Sequence, residues 1–335
     1  MATIPVLKLN MLDGYSDKNN QFISLLTEAA HDVGFFYLSD HGVSPSFLEK
    51  VRELTRKFFL LPEKEKLSIA MINSPHFRGY NRAGNERTNG NADWREQFDI
   101  GAEREPHNVT DNDPIWLGLH GYNQWPESLP ELKNVMLAYN DILTNISLKL
   151  LRALATGLGL PNHSFDEIYG ETPNEHIKLI KYPHSGSIKE TQGVGAHKDS
   201  GLLTLILQDE NKGLQVEISD NKWIDVPPIN GTFVVNLGEL LELATNGYLR
   251  ATVHRVLTPD EQRDRFSIAY FLGASLDSIV PVFDLPKELT SGRSLIKTDP
   301  NNPLLRNVGL NYMKGRLRSH PDVAKKFYSK WSNFI

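Results

Sequence analysis

Between residues 175 and 285 the chain breaks into short apolar, β-branched segments divided by turn clusters, and that spacing constrains the fold more than any other feature. Segments from His176 to Tyr182, Leu202 to Gln208, Gly213 to Ile218, Lys222 to Val226, Thr232 to Asn236, Ala251 to Leu257 and Arg265 to Leu272 read as strands. Pro227-Pro228-Ile229-Asn230-Gly231 is one of the turn clusters between them. Regular short strands of this kind argue for a sandwich or a barrel.

The first half has a different texture. Phe22, Leu25, Leu26, Ala29, Ala30 and Val33 recur at spacings of three and four, which predicts an amphipathic helix over 17–33, followed by a strand from Gly34 to Leu38. Ser44 is an N-cap with Pro45 behind it, and Leu48, Val51, Leu54, Phe58 and Phe59 line one face until Pro62. A third, long helix runs from Pro130 to about Gly157, on Leu132, Met136, Tyr139, Leu143, Ile146 and Leu150. After the β segments, Leu310, Met313 and Leu317 before Pro321, then Val323, Phe327 and Trp331, predict helix again. The expected organisation is an α-rich region over 1–120, a buttressing helix and connection over 121–174, a β core over 175–285 and a helical segment over 286–335, forming one structural unit.

Composition narrows the chemistry. With no cysteine among 335 residues, thiolate metal sites, iron–sulfur clusters and cysteine nucleophiles are excluded, so any metal must be held by nitrogen and oxygen. A formal charge of −5 gives no general attraction to nucleic acid or to anionic membranes, and neither is an expected partner. The first twenty residues lack a basic stretch leading into an apolar one, and no long apolar run follows. A cytoplasmic protein, monomeric or weakly dimeric, is the expectation.

Most of the eleven histidines lie in helix faces, turns or proline-flanked loops. His197 and Asp199 differ: one residue apart at the mouth of a β segment, their side chains leave the same face of an extended chain and can reach one ion. A pair of this kind arises by chance in a chain so rich in histidine, but His254, inside a later β segment, supplies a third donor. Two imidazoles and a carboxylate cover one face of an octahedral iron and leave three positions free. In the last strand, alternation places Arg265, Ser267, Ala269 and Phe271 on one face and Phe266, Ile268 and Tyr270 on the other. An arginine turned into an apolar interior is costly unless an anion meets it, and a dicarboxylate held by Arg265 and the Ser267 hydroxyl answers that need.

The ordered set His197-x-Asp199, His254 and Arg265-x-Ser267 resembles the iron(II)- and 2-oxoglutarate-dependent oxygenases, in the branch of isopenicillin N synthase and the plant flavonoid and gibberellin oxygenases. Nearly the whole chain takes part: Asp32-Val33-Gly34-Phe35-Phe36, Asp40-His41-Gly42-Val43, Phe58-Phe59-Leu60-Leu61-Pro62 and Arg78-Gly79-Tyr80 lie N-terminally. Tyr182-Pro183, Gln208-Asp209, Gly213-Leu214-Gln215-Val216, Val235-Asn236-Leu237-Gly238 and His254-Arg255-Val256 lie in the core. Lys198, inside His-x-Asp, and Glu239, after Gly238, depart from the usual pattern without removing a donor.

The resemblance implies a mainly β fold with flanking helices, whose core is a double-stranded β-helix, the jelly roll or cupin-like barrel. It implies Fe(II) on His197, Asp199 and His254, 2-oxoglutarate as cosubstrate on Arg265 and Ser267 with help from Tyr182, and O2 as oxidant, with ascorbate as an optional stimulant. The implied reaction oxidises, most commonly hydroxylates, a small molecule and releases succinate and CO2, with no catalytic group beyond the metal ligands. Arg78, Tyr80, Arg95, Glu96, Phe98 and Phe271 are candidate substrate contacts from their places beside the motifs; Arg78 with Glu96 also suits an ion pair, and Phe98 and Phe271 also suit a core. A 2-oxoglutarate-independent oxidase like isopenicillin N synthase and a non-enzymatic cupin-like binding protein are the competing readings. A zinc hydrolase would leave the Arg265 pocket without a purpose.

Overall fold

Period-two alternation sorts the side chains of each strand onto two faces, and the fold is built on that division. The computed structural model describes residues 3–13, 16–184, 192–219, 221–259, 263–290 and 303–334. Its strands are β1 Val6–Lys8, β2 Phe35–Ser39, β3 Gly79–Asn81, β4 Arg87–Thr88, β5 Asn91–Ala92, β6 Glu96–Gly101, β7 His176–Tyr182, β8 Gln192–His197, β9 Leu203–Gln208, β10 Leu214–Ser219, β11 Lys222–Asp225, β12 Phe233–Leu237, β13 His254–Leu257 and β14 Arg265–Leu272. One sheet has eight strands in the order β1-β2-β12-β9-β14-β7-β6-β3, a second has the order β11-β10-β13-β8, and β4-β5 is a separate hairpin. Only β1 with β2 pairs in parallel among these contacts.

Two cores follow. Phe35, Tyr37, Ile180, Tyr182, Ile206, Val234 and Ala269 of the large sheet meet Val194, Leu214, Val216 and Val256 of the small one, and this is the barrel interior. The alternate residues, among them Phe36, Leu38, Phe98, Leu179, Leu205, Leu207, Val235, Ile268 and Tyr270, pack on the outer face against helices. Those helices are α1 Ser16–Asp32, α2 Pro45–Leu60, α3 Glu63–Ser68, α4 Glu131–Gly157, α5 Asp166–Tyr169, α6 Glu239–Ala244, α7 Lys287–Thr290, α8 Val308–Ser319 and α9 Pro321–Phe327. Leu143, Leu150 and Leu154 of α4 and Leu54 and Phe58 of α2 are fully buried there, each removal from water being worth about 1.5–3 kcal/mol. The result is the expected jelly-roll architecture, two facing antiparallel sheets with helices outside.

The local signals act as the sequence suggests. The Ser44 hydroxyl accepts from the Phe47 N–H at 3.2 Å at the start of α2. Gly34 turns the chain from α1 into β2 with φ of 70°, and a Cβ there would lie 2.1 Å from the Arg250 carbonyl oxygen. Two features differ from the sequence reading. β3 and β6, in the region expected to be α-rich, extend the large sheet. β8 is a full strand, and the strand expected from Ala251 begins only at His254. Phe327, one of the apolar positions that mark the last helical segment, is exposed. The expected C-terminal segment includes 291–302 and 335, which lie outside the described residues. No described helix is long and apolar enough to cross a membrane.

Candidate metal centre

The end of β8, the loop after it and the start of β13 bring three donors together. His254 pairs with His197 across the small sheet, and Asp199 follows two residues on. One ligand atom from each lies within 4.8 Å of the others, the one such histidine-and-carboxylate group among the described residues. Asp199 Oδ1 is 3.5 Å from His197 Nε2 and 3.7 Å from His254 Nε2, and the two rings are 4.3 Å apart.

Each donor is aimed by a partner behind it. His197 Nδ1 faces the Gly195 carbonyl at 2.8 Å and His254 Nδ1 faces the Thr252 carbonyl at 3.1 Å. A carbonyl only accepts, so Nδ1 carries the proton in both rings and Nε2 offers its lone pair to the centre. Asp199 Oδ2 accepts from the Thr204 hydroxyl at 2.6 Å and the Asn236 amide at 2.8 Å, which leaves Oδ1 for the same point. Burial alone would raise the Asp199 pKa, but His254, His197 and the Asn236 amide outweigh it and hold the carboxyl well below the usual range. Burial, and then the neighbouring His197, lower His254 to about 4; burial also opposes charge on His197, but Asp199 outweighs it and raises that ring. Above mildly acidic pH Asp199 is therefore an anion and His254 a neutral imidazole with its lone pair available. Lys198 turns away to Glu242, 2.6 Å distant, so its departure from the usual pattern leaves the donors untouched.

Farther along the interior lies Arg265, 1% exposed. Its Nη2 donates to Gln208 Oε1 at 2.8 Å, its Nε to the Asn211 carbonyl at 3.3 Å, and its plane lies 4.9 Å from the Tyr182 ring. Among the described residues no ion pair engages it, and its Nη1 is buried without a partner. A buried guanidinium with a free donor suits a bound carboxylate. Ser267, two residues on, faces the same interior beside Gln208 and Ile180. The donor set and the orphaned Nη1 together fit an iron ion and a dicarboxylate cosubstrate.

The six candidate substrate contacts divide. Tyr80, Glu96 and Phe98 do not face the three donors: Phe98 stacks on Phe58 at 4.5 Å, and Glu96 takes the Tyr80 hydroxyl at 2.6 Å, Lys66 at 2.9 Å and Lys181 at 3.1 Å. Strand parity is the reason, since β6 turns Gln97 and Asp99 inward and Glu96, Phe98 and Ile100 outward. Arg78 and Glu96 form no ion pair; Arg78 donates to the Leu119 carbonyl at 3.2 Å. Arg95 is held by Glu86 at 2.7 Å and Asp93 at 3.3 Å. Phe271 stays on the interior face, opposite Thr204 on one side and His176 on the other.

Thr204, Asn236 and Gln208 escaped assignment from the sequence, although each is a polar residue at an inward position of an apolar strand. Asp93 was missed as well. Fully buried, it accepts from Thr88 Oγ1 and Gln192 Nε2 at 2.8 Å and from the Gly195 N–H at 3.2 Å, tying the β4-β5 hairpin to the strand that carries His197.

Comparison with known proteins agrees with this geometry. Residues 4–128 match the family described as non-haem dioxygenase in morphine synthesis N-terminal, and residues 173–274 match the 2OG-Fe(II) oxygenase superfamily. The chain is 34% identical to the 2-oxoglutarate-dependent dioxygenase frbJ of Dothideomycetidae sp. (strain 11243), over 97% of this chain and 92% of that protein. It is 37% identical to a homoarginine-6-hydroxylase of Arabidopsis thaliana, over 81% and 82% of the two chains. Among solved structures, a full-length Neurospora crassa protein in complex with alpha-KG and thymine superposes with a TM-score of 0.75 at 26% identity, covering 97% of each chain.

Proposed function

The chain belongs to the iron(II)- and 2-oxoglutarate-dependent oxygenase superfamily, and on that premise we propose that His197, Asp199 and His254 hold the iron while Arg265, Ser267 and Tyr182 hold the cosubstrate. The enzyme oxidises a small molecule with O2 and 2-oxoglutarate. Bound iron and 2-oxoglutarate supply the oxidising power, 2-oxoglutarate losing CO2 to become succinate as a C–H bond of the substrate is hydroxylated.

The observation that carries the assignment is the buried Arg265 with its unpartnered Nη1, in the same interior as three converging donors. Arg265 gives the distal carboxylate a fixed fork of donors, which Gln208 and Tyr182 keep in place. Thr204 and Asn236 orient Asp199, and the walls of Phe35, Val194 and Val216 exclude water from the reacting groups. The 2-oxoglutarate-independent oxidase is not favoured, because frbJ is named as a 2-oxoglutarate-dependent dioxygenase and the Neurospora crassa neighbour holds alpha-KG.

Homoarginine is the first substrate candidate, since a relative covering most of the chain is named for its hydroxylation. Protein supplied with iron(II), ascorbate, 2-oxoglutarate and homoarginine should release one succinate per hydroxylated product, and omission of iron should stop both. Product formed without consumption of 2-oxoglutarate would refute the reading.

A further inference from the structure

β8, which carries His197 at its end, is an edge strand. It closes the small sheet in the order β11-β10-β13-β8, and its pairing with β13 shifts register on both sides of Val256. A strand held along one side by an interrupted ladder leaves N–H and C=O groups on its other side in need of partners. The β4-β5 hairpin and the residues after it supply them. The Trp94 N–H donates to the Gln192 carbonyl at 2.8 Å, the Gly195 N–H to Asp93 Oδ1 at 3.2 Å, and Asn89 Nδ2 to the Ala196 carbonyl at 3.0 Å.

These bonds reach the metal donor through Gly195 and Ala196. His197 Nδ1 donates to the Gly195 carbonyl at 2.8 Å, so the plane of the ring depends on where that carbonyl points. Asp93 holds the N–H of the same glycine, and Asn89 holds the carbonyl of the peptide that enters His197. Three successive peptide groups before the ring are thereby engaged, the first and third by the hairpin region and the second by the imidazole. The fit is close: a Cβ at Gly195 would lie 2.8 Å from Gln192 Nε2 and 2.9 Å from Thr88 Cγ2. His254 has a different support, since its Nδ1 faces the Thr252 carbonyl of its own segment and β13 lies between β10 and β8.

The chemistry around Asp93 calls for a carboxylate. The side chain is fully buried, and every group bonded to it is a donor: the Gly195 N–H and Gln192 Nε2 on Oδ1, the Thr88 hydroxyl at 2.8 Å and Arg95 Nη2 at 3.3 Å on Oδ2. Four donors offset the cost of burying the anion, whereas an amide would turn its own hydrogens toward two of them. Arg95 also takes Glu86 at 2.7 Å, and Glu86 takes Lys178 of β7 at 2.8 Å. The hairpin is therefore braced from the large sheet across to the free edge of the small one.

We propose that Asp93 is a positioning residue for the iron, acting through Gly195 on the ring of His197. This rests on the reading of His197, Asp199 and His254 as the metal ligands.

The test uses full-length protein loaded with cobalt(II) in place of iron. Proton NMR should show two strongly shifted, exchangeable resonances, one from each histidine Nδ1–H. The slower to exchange belongs to His254, whose side chain is 5% exposed against 31% for His197. Asp93→Asn should weaken cobalt(II) about 10–100-fold in competition with a chelator, displace the His197 resonance and leave that of His254 in place. Asn89→Gly removes one donor to β8, changes no charge and keeps the left-handed turn of Asn89 and Gly90, whose φ angles are 51° and 81°. It should displace the same resonance with a smaller loss of affinity, and it decides the question if the Asp93 variant does not fold. Unchanged affinity in folded Asp93→Asn, equal displacement of both resonances, or an unmoved His197 resonance in Asn89→Gly would overturn the proposal. A lower thermal midpoint with both resonances unmoved would do the same, since it would make the role of Asp93 purely structural. Wild-type protein that fails to show the two resonances would instead sink the ligand assignment.

Discussion

Single side chains set the properties of this centre. The three donors would converge poorly without Thr204 and Asn236, which fix one oxygen of Asp199 and leave the other free. Asn236→Ala is expected to lower iron affinity about 10–100-fold, measured by competition with a chelator, because outer partners orient the ligand. Unchanged affinity would mean that the Asn236 amide plays no part in orienting Asp199 and that the Thr204 hydroxyl suffices. Arg265→Gln should raise the 2-oxoglutarate concentration needed for half-maximal absorbance by about 100-fold while iron still binds, since the lost fork is charge-assisted. Equal loss of iron and cosubstrate would instead point to a collapse of the interior.

Elements place these residues, and here the sequence was legible to different depths. Helices α1, α2 and α4 announced themselves because their apolar stripes are long; α2 has an explicit cap besides, and Ser44→Ala should cost about 1 kcal/mol in thermal or denaturant unfolding. The convergence of His197, Asp199 and His254 was legible from the one-residue spacing of the first two and a third donor in a later β segment, and the inward places of Arg265 and Ser267 from the period of two in an apolar strand. β3 and β6 were hidden: Gly79–Asn81 is too short to show a period, and Glu96–Gly101 carries inward Gln97 and Asp99, which bond each other, Asp99 being held besides by His176 of β7 and Arg316 of α8, far away in sequence. For the same reason Tyr80, Glu96 and Phe98, adjacent to motifs in sequence, stand on the wrong side of the sheet for substrate. The tie between the β4-β5 hairpin and β8 was equally invisible, since it depends on Asp93 reaching Gln192 and Gly195.

At the scale of the whole molecule, a helical shell packs on one sheet of a barrel whose interior is polar at both ends and apolar between. That interior makes stability depend on pH. Burial, followed by Arg316, lowers His176 to about 3, and burial lowers His320 to about 4, both from an ordinary 6.5. The native state keeps these rings neutral while the unfolded chain protonates them below pH 6.5, so the unfolded state binds more protons and stability falls as pH drops from 6.5 toward 4. The thermal midpoint of metal-free protein should fall steadily across that window, and a flat profile would contradict the buried, neutral assignment. Iron(II) with 2-oxoglutarate should raise the midpoint, because both bind only the folded chain. The most direct test of the central claim is the absorption spectrum under argon. Iron(II) and 2-oxoglutarate together should give a weak visible charge-transfer band that neither gives alone, and His197→Ala, Asp199→Ala and His254→Ala should each abolish it; a band that survives unchanged in any of the three would contradict the assignment of the metal ligands.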